Sequence, residues 1–244
     1  MEMEEWKNGM MGFPKLITFD STGTLITVRG SVGVIYAEGA AEFGFEFVPG
    51  ELDESFLRVF GRQSKRHPNF GYPNLPAREW WRHVVLETLG LSEAEHPAKL
   101  LDDLFEHLWT AFTEADAWVI YPEVIQTLEA LKKQGIRMGV ISNFDERLPT
   151  ILKNKGLAVY FDFILCSRVF GAEKPDAAIF DEAVKWAGCN PEEGLHIGDS
   201  EKDYLGARSA GMRSMLLVRN GKRSIHPAGD VVSDLLGFLA ATTL

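Results

Sequence analysis

Short apolar runs without alternation recur along the chain and predict buried strands. Runs of this kind are typical of parallel strands that are covered on both faces of a sheet. They are Leu16–Phe19, Arg137–Ile141, Phe163–Cys166, Leu195–Ile197 and Ser214–Val218. Helical patterns that end at a glycine alternate with these runs, over Glu123–Gln134, Glu146–Lys155 and Ala177–Ala187. This alternation predicts an α/β fold with a doubly wound, Rossmann-like parallel sheet of about five strands.

The segment between the first and second strands breaks this rhythm. About 115 residues separate Phe19 from Arg137, and we find no convincing strand among them. Amphipathic helical patterns cover Val32–Phe43, Glu51–Lys65, Ala77–Leu89 and Lys99–Phe112. A helical block of this size does not fit a simple crossover between strands. We therefore predict an inserted helical cap domain over residues 30–118, and a core domain over residues 14–29 and 119–244.

Composition and charge limit the classes of partner. The 244 residues are 45% hydrophobic and 25% charged, which is ordinary for a globular protein, and the formal net charge is −10. An acidic chain is repelled by nucleic acid and by anionic membranes, so we expect neither as a partner. An anionic substrate then needs a local positive group or a metal ion inside a negative molecule.

The two cysteines and the N-terminal segment bear on the compartment. Cys166 and Cys189 have neither CxxC nor zinc spacing, and we expect both to be buried free thiols. Residues 1–14 are acidic and poor in Arg and Ser, unlike a signal or transit peptide. No run approaches the roughly 18 apolar residues of a membrane span. We expect a cytoplasmic or another reducing, soluble location.

Two strand ends carry candidate catalytic groups. Asp20 directly follows the first strand and precedes a hydroxyl-rich glycine turn. Ligands of open α/β sheets bind beyond the carboxyl ends of the strands, where a carboxylate can attack phosphorus. Ser142 ends the second strand, where its hydroxyl can donate to a phosphoryl oxygen. The structural alternatives are a turn-forming role for Asp20 and helix capping by Ser142 and Asn143.

Two further segments carry charge. Lys174 stands before a proline and ahead of a predicted helix, where its ammonium can offset repulsion between a nucleophile and a phosphate. Asp199 and Asp203 follow the fourth strand and are four residues apart, which suits Mg²⁺ because hard cations prefer carboxylate oxygen. The alternatives are a solvated lysine and acids that favour a helix N-terminus.

Together these segments resemble the haloacid dehalogenase superfamily. The resemblance rests on FDSTGTL, VISN, EKPD and HIGDSEKDYLGARSAGM, which cover the predicted core almost end to end. The helical insertion directly after FDSTGTL is where the family's type-I caps lie. Within it, the stretch Gln63–Tyr72 and the run Arg78–Trp81 resemble a eukaryotic branch of this family.

The resemblance implies a Mg²⁺-dependent phosphatase or phosphotransferase that acts on a small phosphorylated metabolite. Asp20 would be the nucleophile, Ser142 would bind a phosphoryl oxygen and Lys174 would neutralise charge. Mg²⁺ would be bound by Asp20, Asp199, Asp203 and the backbone carbonyl of Thr22. Substrate contacts are expected from Gly23, Thr24, Asn143 and Arg66. For Arg66, in a cationic stretch of the cap, the alternative is a solvated helix end.

Thr22 departs from the family's phosphatase pattern. Those enzymes have a second aspartate at this position, as general acid and then base, a role worth about 10²–10⁴-fold in rate. Thr cannot fill it at neutral pH, so turnover should be weakened, least for donors with a good leaving group. P-type ion pumps of the same superfamily also carry Thr here and form a lasting aspartyl-phosphate.

Two other functions stay open at this point. A catalytically impaired family member would act as a ligand-binding or protein-binding molecule, which Thr22 supports. Against it, the clustered charges at Asp20, Lys174, Asp199 and Asp203 are costly to bury without a metal or an anion. A true dehalogenase would attack carbon without a metal, but the family's dehalogenases have an aromatic residue in place of Thr22.

Overall fold

The computed structural model describes residues 13–219 and 225–242, and it contains a six-stranded parallel sheet. The strand order is β5-β4-β1-β6-β7-β8. A separate two-stranded sheet pairs β2 with β3. The strands are β1 (Leu16–Phe19), β2 (Ile26–Val28), β3 (Trp118–Ile120), β4 (Arg137–Ser142), β5 (Phe163–Cys166), β6 (Gly194–Gly198), β7 (Arg213–Leu217) and β8 (Val231–Val232).

Helices precede or follow most strands. They are α1 (Val32–Ala41), α2 (Pro49–Arg66), α3 (Pro68–Gly71), α4 (Ala77–Leu89), α5 (Ala98–Thr113), α6 (Val124–Lys133), α7 (Leu148–Asn154), α8 (Ser167–Phe170), α9 (Ala177–Ala187), α10 (Glu201–Ser209) and α11 (Leu235–Thr242). Short 3₁₀ turns lie at Ala115–Ala117, Ala158–Tyr160, Pro191–Glu193 and Ala228–Asp230. None of the described helices combines the length and apolar content needed to span a bilayer.

The strand order puts β1 at the centre of the sheet. Thr18 of β1 pairs with Gly139 of β4 on one side and with His196 of β6 on the other. All four β1 residues are buried, and β6 is buried throughout. The chain runs from β1 outward in both directions, which makes the carboxyl end of β1 the topological switch point where ligands bind in open α/β sheets.

The predicted α/β architecture is confirmed, and several element bounds agree to the residue. The predicted ranges for β1, β5, α4 and α9 equal the observed ones. The prediction missed β2, β3 and β8, which have two or three residues each. Strands this short carry no readable periodicity. Of the three, only β8 belongs to the parallel sheet, which has six strands where about five were predicted. Neither cysteine forms a disulfide in the described structure. Only Cys166 is buried, because Cys189 lies just past the end of α9 and is partly exposed.

The chain forms two compact units. Unit 1 contains residues 1–27, 120–143 and 156–244, of which the described part carries the six-stranded sheet. Unit 2 contains Val28–Val119 and Phe144–Lys155 and is mostly helical. The predicted cap range of 30–118 falls inside unit 2. Unit 2 also includes residues 144–155, which the prediction gave to the core. The functional division into core and cap domains stays a prediction.

A buried ion pair explains why the segment after β4 groups with the helices of unit 2. Asp145 is fully buried, and its carboxylate accepts two bonds from the Arg147 guanidinium, at 2.9 and 2.7 Å. The Trp81 indole N–H donates to the same carboxylate at 2.6 Å. The guanidinium also lies 3.8 Å from the centre of the Trp109 ring. Aromatic faces and a bidentate carboxylate together suit a buried arginine.

Candidate active site

The Asp20 carboxylate lies at the carboxyl end of β1 and is held by a buried lysine. The Asp20 N–H donates to the Ile197 carbonyl at 2.9 Å, which continues the sheet past the last β1 residue. Lys174 donates through Nζ to Asp20 Oδ1 at 2.7 Å and to the Ile141 carbonyl at 2.8 Å. Its third bond goes to Asp203 Oδ1. Lys174 is only 2% exposed, so all three ammonium hydrogens bond to protein oxygens.

Asn143 fixes the backbone of this lysine from the end of β4. Its side-chain N–H donates to the Lys174 carbonyl at 2.9 Å, and its side-chain oxygen accepts the Lys174 N–H at 2.7 Å. This pair of bonds ties the loop before α9 to the end of β4. Ser142, the neighbouring residue, exchanges a hydrogen bond of 2.7 Å with Ser21, and both hydroxyls are buried. The geometry gives Asn143 a positioning role, and its contact with substrate stays a prediction.

Asp203 is surrounded by donors. Besides Lys174, the Asp203 Oδ1 atom lies 3.1 Å from His196 Nε2. The Oδ2 atom accepts the N–H of Ser200 at 3.1 Å and its hydroxyl at 2.5 Å, within the capping box that starts α10. The other nitrogen of His196 lies 2.8 Å from Thr18 Oγ1. Both ring nitrogens of His196 are therefore engaged, as we expect for a satisfied core histidine.

The shifts in pKa follow from burial and from this arrangement of charges. Burial raises the pKa of Asp20, although the ammonium of Lys174 opposes the rise. Burial also acts to raise the pKa of Asp203, but Lys174 and the hydrogen bond from His196 hold it well below its ordinary value. Lys174 is desolvated, yet the two carboxylates raise its pKa. Lys174 is therefore charged throughout the physiological range and compensates the buried acids.

Asp199 lies one residue beyond β6 and completes a cluster of three carboxylates. Oxygen atoms of Asp20, Asp199 and Asp203 all lie within 4.8 Å of one another. Asp199 is exposed as a residue. Even so, protein atoms packed around its carboxyl, and then the negative charges of Asp20 and Asp203, raise its pKa to about 7. A third carboxylate without its own cation is thus under electrostatic strain in the metal-free protein.

Glycine makes the close approach of these acids sterically feasible. A Cβ atom on Gly23 would lie 2.2 Å from Asp199 Oδ2, and the backbone there has a φ of +89°. A Cβ atom on Gly198 would lie 2.3 Å from Asp203 Cγ. No side chain fits at either place without moving an acid. The expected ligand contact of Gly23 stays a prediction, but its lack of a side chain is a geometric requirement.

Among the described residues, the loop after Asp20 has one main-chain carbonyl that accepts no hydrogen bond. The Ser21 carbonyl accepts the N–H groups of Leu25 and Ile26, at 2.8 and 3.0 Å. The carbonyls of Gly23 and Thr24 both accept bonds from Arg219. Within residues 13–219 and 225–242, no donor bonds to the Thr22 carbonyl. The side chain of Thr22 belongs to an exposed residue, whereas Thr24 is fully buried.

These groups fit Mg²⁺ by the chemistry of their donor atoms. Three clustered carboxylates and an unpaired carbonyl are all hard oxygen donors, the ligand type that Mg²⁺ requires. A divalent cation would also relieve the repulsion that raises the Asp199 pKa. The buried Lys174 contacts only Asp20 and Asp203, and its charge offsets just part of the rise in the Asp199 pKa.

Most of the predicted site residues meet in unit 1, and some contacts were not predicted. Unit 1 contains Asp20, Thr22, Gly23, Thr24, Ser142, Asn143, Lys174, Asp199 and Asp203. Arg66 lies in unit 2 as an exposed residue of α2, and its role stays a prediction. No motif indicates that Ser21 and Ser200 bind site groups. Arg219 was also missed, although its place two residues past β7 put it near the same edge of the sheet.

Comparisons with known proteins agree with this architecture. Residues 14–211 match the model of a family described as haloacid dehalogenase-like hydrolase. The chain is 37% identical to human haloacid dehalogenase-like hydrolase domain-containing protein 3 over 215 residues, which cover 87% of the chain and 84% of the relative. This relative belongs to the eukaryotic branch that the helical insertion resembles.

Solved structures show the same fold. A 2-haloacid dehalogenase from Pseudomonas syringae is 28% identical, with a TM-score of 0.65 and with 94% of this chain and 98% of that chain covered. A HAD phosphatase from Thermococcus onnurineus is 24% identical, with a TM-score of 0.62 and coverage of 92% and 96%. The second likeness shows the fold alone. Dehalogenases and phosphatases thus share this architecture.

We expect Lys174→Met to destabilise the metal-free protein strongly at pH 7.5. It leaves two buried carboxylates without their cation, and breaking a buried pair costs about 3–5 kcal/mol. The control Lys185→Met removes an exposed lysine that pairs with Glu182 and should cost about 0–1 kcal/mol. Urea unfolding gives both free energies. Equal effects of the two substitutions would contradict the role of Lys174.

We expect Asp199→Asn to stabilise the metal-free protein at pH 8, and by much less at pH 4. The folded-state pKa of about 7 exceeds the ordinary value of 3.8, so this carboxyl costs stability progressively as the pH rises from about 4 to about 7. Because the residue is exposed, solvent screening reduces the gain to about 1 kcal/mol, or roughly 2–4 °C in melting temperature.

The control for this measurement is Asp181→Asn on the exposed face of α9. This substitution also removes one negative charge, but from a residue outside the acid cluster. It should show no such pH dependence. A melting temperature for Asp199→Asn that falls below that of the wild type at pH 8 would contradict the expected strain.

Proposed function

Because the chain belongs to the haloacid dehalogenase-like hydrolase family, we propose that it is a Mg²⁺-dependent phosphatase or phosphotransferase. Its substrate would be a small phosphorylated metabolite, and the reaction would pass through an aspartyl-phosphate on Asp20. One observation carries the proposal. The Asp20 carboxylate, at the end of the central strand, is bound by a buried lysine and lies beside two further carboxylates. A helix-capping or turn-forming aspartate needs neither neighbour.

Asp20, Asp199 and the Thr22 carbonyl are the groups that would hold Mg²⁺, together with Asp203. When bound, the ion would polarise the phosphoryl group and screen the negative charge of its oxygens. Asp203 differs from the other acids because protein donors already bond to both of its oxygens. Its main contribution in this conformation is to hold Lys174 in place.

The chemistry of the first step follows from the residues around Asp20. An Asp20 oxygen attacks the phosphorus and forms a new P–O bond, while the bond to the leaving group breaks and its electron pair stays on the leaving oxygen. Lys174 opposes the rise that burial causes in the Asp20 pKa, which favours the ionised nucleophile, and it offsets the repulsion between two anions. The Ser142 hydroxyl, next to Ser21, can turn to donate to a phosphoryl oxygen.

Thr22 determines which donors should work. No acid stands at this position to protonate a leaving oxygen, so a poor leaving group such as a sugar alkoxide should react slowly. An acyl phosphate releases a carboxylate, which needs no proton at neutral pH. Hydrolysis of the aspartyl-phosphate needs a base to take a proton from water, which Thr cannot supply. We therefore propose that Asp20 is phosphorylated by activated donors and dephosphorylated slowly.

Two other functions are alternatives to the proposed phosphatase or phosphotransferase. A catalytically impaired binding protein would use the same fold without a phosphorylated intermediate, and the exposed Thr22 favours it. A metal-independent dehalogenase, suggested by the name of one structural relative, would ignore Mg²⁺ and act on 2-chloropropionate. The three-acid cluster argues against a dehalogenase, because an enzyme that needs no cation gains nothing from three neighbouring carboxylates.

We expect incubation with acetyl phosphate and Mg²⁺ to add one phosphoryl group to the wild-type chain. Intact-mass spectrometry would detect the adduct, because without a base at position 22 it should persist. Thr22→Asp supplies that base and should lower the amount of adduct while raising phosphate release by about 10²–10⁴-fold. Asp20→Asn should abolish both signals.

The same experiment separates the alternatives. No adduct in the wild type, and neither adduct nor phosphate release with Thr22→Asp, would overturn the proposed function and favour the binding protein. Chloride release from 2-chloropropionate without metal would instead support the dehalogenase. An adduct on Asp20→Asn would show that phosphorylation occurs at another residue.

A further inference from the structure

Arg219 connects three segments around the loop that follows Asp20. Its Nε and Nη2 atoms donate to the carbonyls of Gly23 and Thr24, at 3.1 and 2.9 Å. The Nη2 atom also lies 2.6 Å from a carboxylate oxygen of Glu123, which directly precedes α6. The guanidinium stacks on Tyr121, 3.6 Å from the ring centre. This cation therefore contacts two carbonyls, a carboxylate and an aromatic ring.

We propose that Arg219 is a positioning residue for the metal site, which holds the loop so that the Thr22 carbonyl stays available as a ligand. This inference rests on the proposed Mg²⁺ site and assigns a function to a residue outside the four sequence motifs. Arg219 contacts neither Asp20 nor the acid cluster in the structure. It acts through the main chain of the two residues that follow Thr22.

The main-chain carbonyls of the loop differ in whether a donor bonds to them. The carbonyls of Ser21, Gly23 and Thr24 are all bonded by donors, which leaves the Thr22 carbonyl as the unpaired one among these four in the described structure. The Thr22 carbonyl shares its rigid peptide plane with the Gly23 N–H, which donates to the Ile26 carbonyl at 2.8 Å. The bonds from Arg219 fix the next two peptide planes, and this restricts rotation of the Thr22 carbonyl about the Gly23 backbone. Without Arg219, two more carbonyls of the loop would lose their donors.

The partners of Arg219 are themselves well held. Glu123 is 8% exposed, and the Arg219 side chain is 16% exposed, so their ion pair is largely shielded from solvent. The N–H of Tyr121 donates to the Leu25 carbonyl at 3.1 Å, which ties the stacking ring to the same loop. The loop, the segment before α6 and the end of β7 thus form one hydrogen-bonded assembly in unit 1.

Only arginine can make this set of contacts. Its planar fork presents several N–H groups in fixed directions and stacks on an aromatic ring, whereas the lysine ammonium is compact and strongly hydrated. Arg219→Lys therefore keeps the charge but loses the two-carbonyl geometry. Arg219→Gln loses the charge as well. If Arg219 acts through the geometry of its hydrogen bonds and not through its charge alone, both substitutions should weaken Mg²⁺ binding.

The test measures Mg²⁺ affinity by calorimetry on the 244-residue chain. We expect Arg219→Lys and Arg219→Gln to weaken Mg²⁺ binding by about tenfold, the loss expected from one charge-assisted hydrogen bond. Phosphorylation by acetyl phosphate should be slowed at low Mg²⁺ but recover near the wild-type rate at saturating Mg²⁺. A general loss of structure would not be overcome by adding the metal.

The matched control is Arg137→Lys. Like Arg219, Arg137 forms an ion pair with one carboxylate, of Asp162, and donates to the main chain, at the Ala187 carbonyl, but it stands at the opposite end of β4 from Ser142. The Arg137→Lys substitution should leave the Mg²⁺ affinity unchanged. Wild-type affinity in both Arg219 variants, or an equal loss with Arg137→Lys, would overturn the proposal.

A second measurement keeps the proposal testable without metal. Hydrogen exchange of a peptide covering residues 20–27 in the metal-free protein should be faster in Arg219→Gln than in the wild type or Arg137→Lys. If the wild type binds no Mg²⁺ but exchange follows this order, the proposed function fails while Arg219 still orders the loop. Unchanged exchange together with unchanged Mg²⁺ affinity would refute the positioning role itself.

Discussion

The ammonium of Lys174 between two buried carboxylates is the interaction on which the arrangement of the site depends. It joins the loop before α9 to the ends of β1 and β4 and to the first turn of α10. Carboxylates this close repel one another strongly in a medium of low dielectric constant, so an assembly without the cation would protonate or separate. Asn143 acts indirectly, because its side chain fixes the backbone of Lys174.

Steric room also limits how closely these acids can approach one another. The acids can gather only because Gly23 and Gly198 present bare backbone where a side chain would collide with them. The capping box of α10 then uses Ser200 to direct one oxygen of Asp203 away from the lysine. Electrostatic attraction thus determines which groups meet, while glycine and capping geometry determine the positions at which they stop.

Much of this could be predicted because the sequence signals are local. Strands such as Leu16–Phe19 are continuous apolar runs, and Gly188 marks the end of α9 by its left-handed backbone. The acids and the lysine follow strands whose carboxyl ends meet at one edge of a parallel sheet. The contacts of Arg219 could not be predicted in this way. They span 195 and 196 positions and use main-chain carbonyls, which no side-chain motif encodes. The two-residue strand β8 is too short for any periodic signal.

The membership of residues 144–155 in unit 2 has a consequence for the modularity of this fold. Asn143 and Asp145 are separated by one residue, yet the first serves the lysine of unit 1 and the second is enclosed by Trp81 and Arg147 of unit 2. An exchange of the helical insertion between relatives at residues 30 and 118 would leave Asp145 and Arg147 facing a foreign surface. A working chimera would have to transplant two discontinuous pieces, because the natural boundary of the exchangeable module lies inside the loop that follows β4.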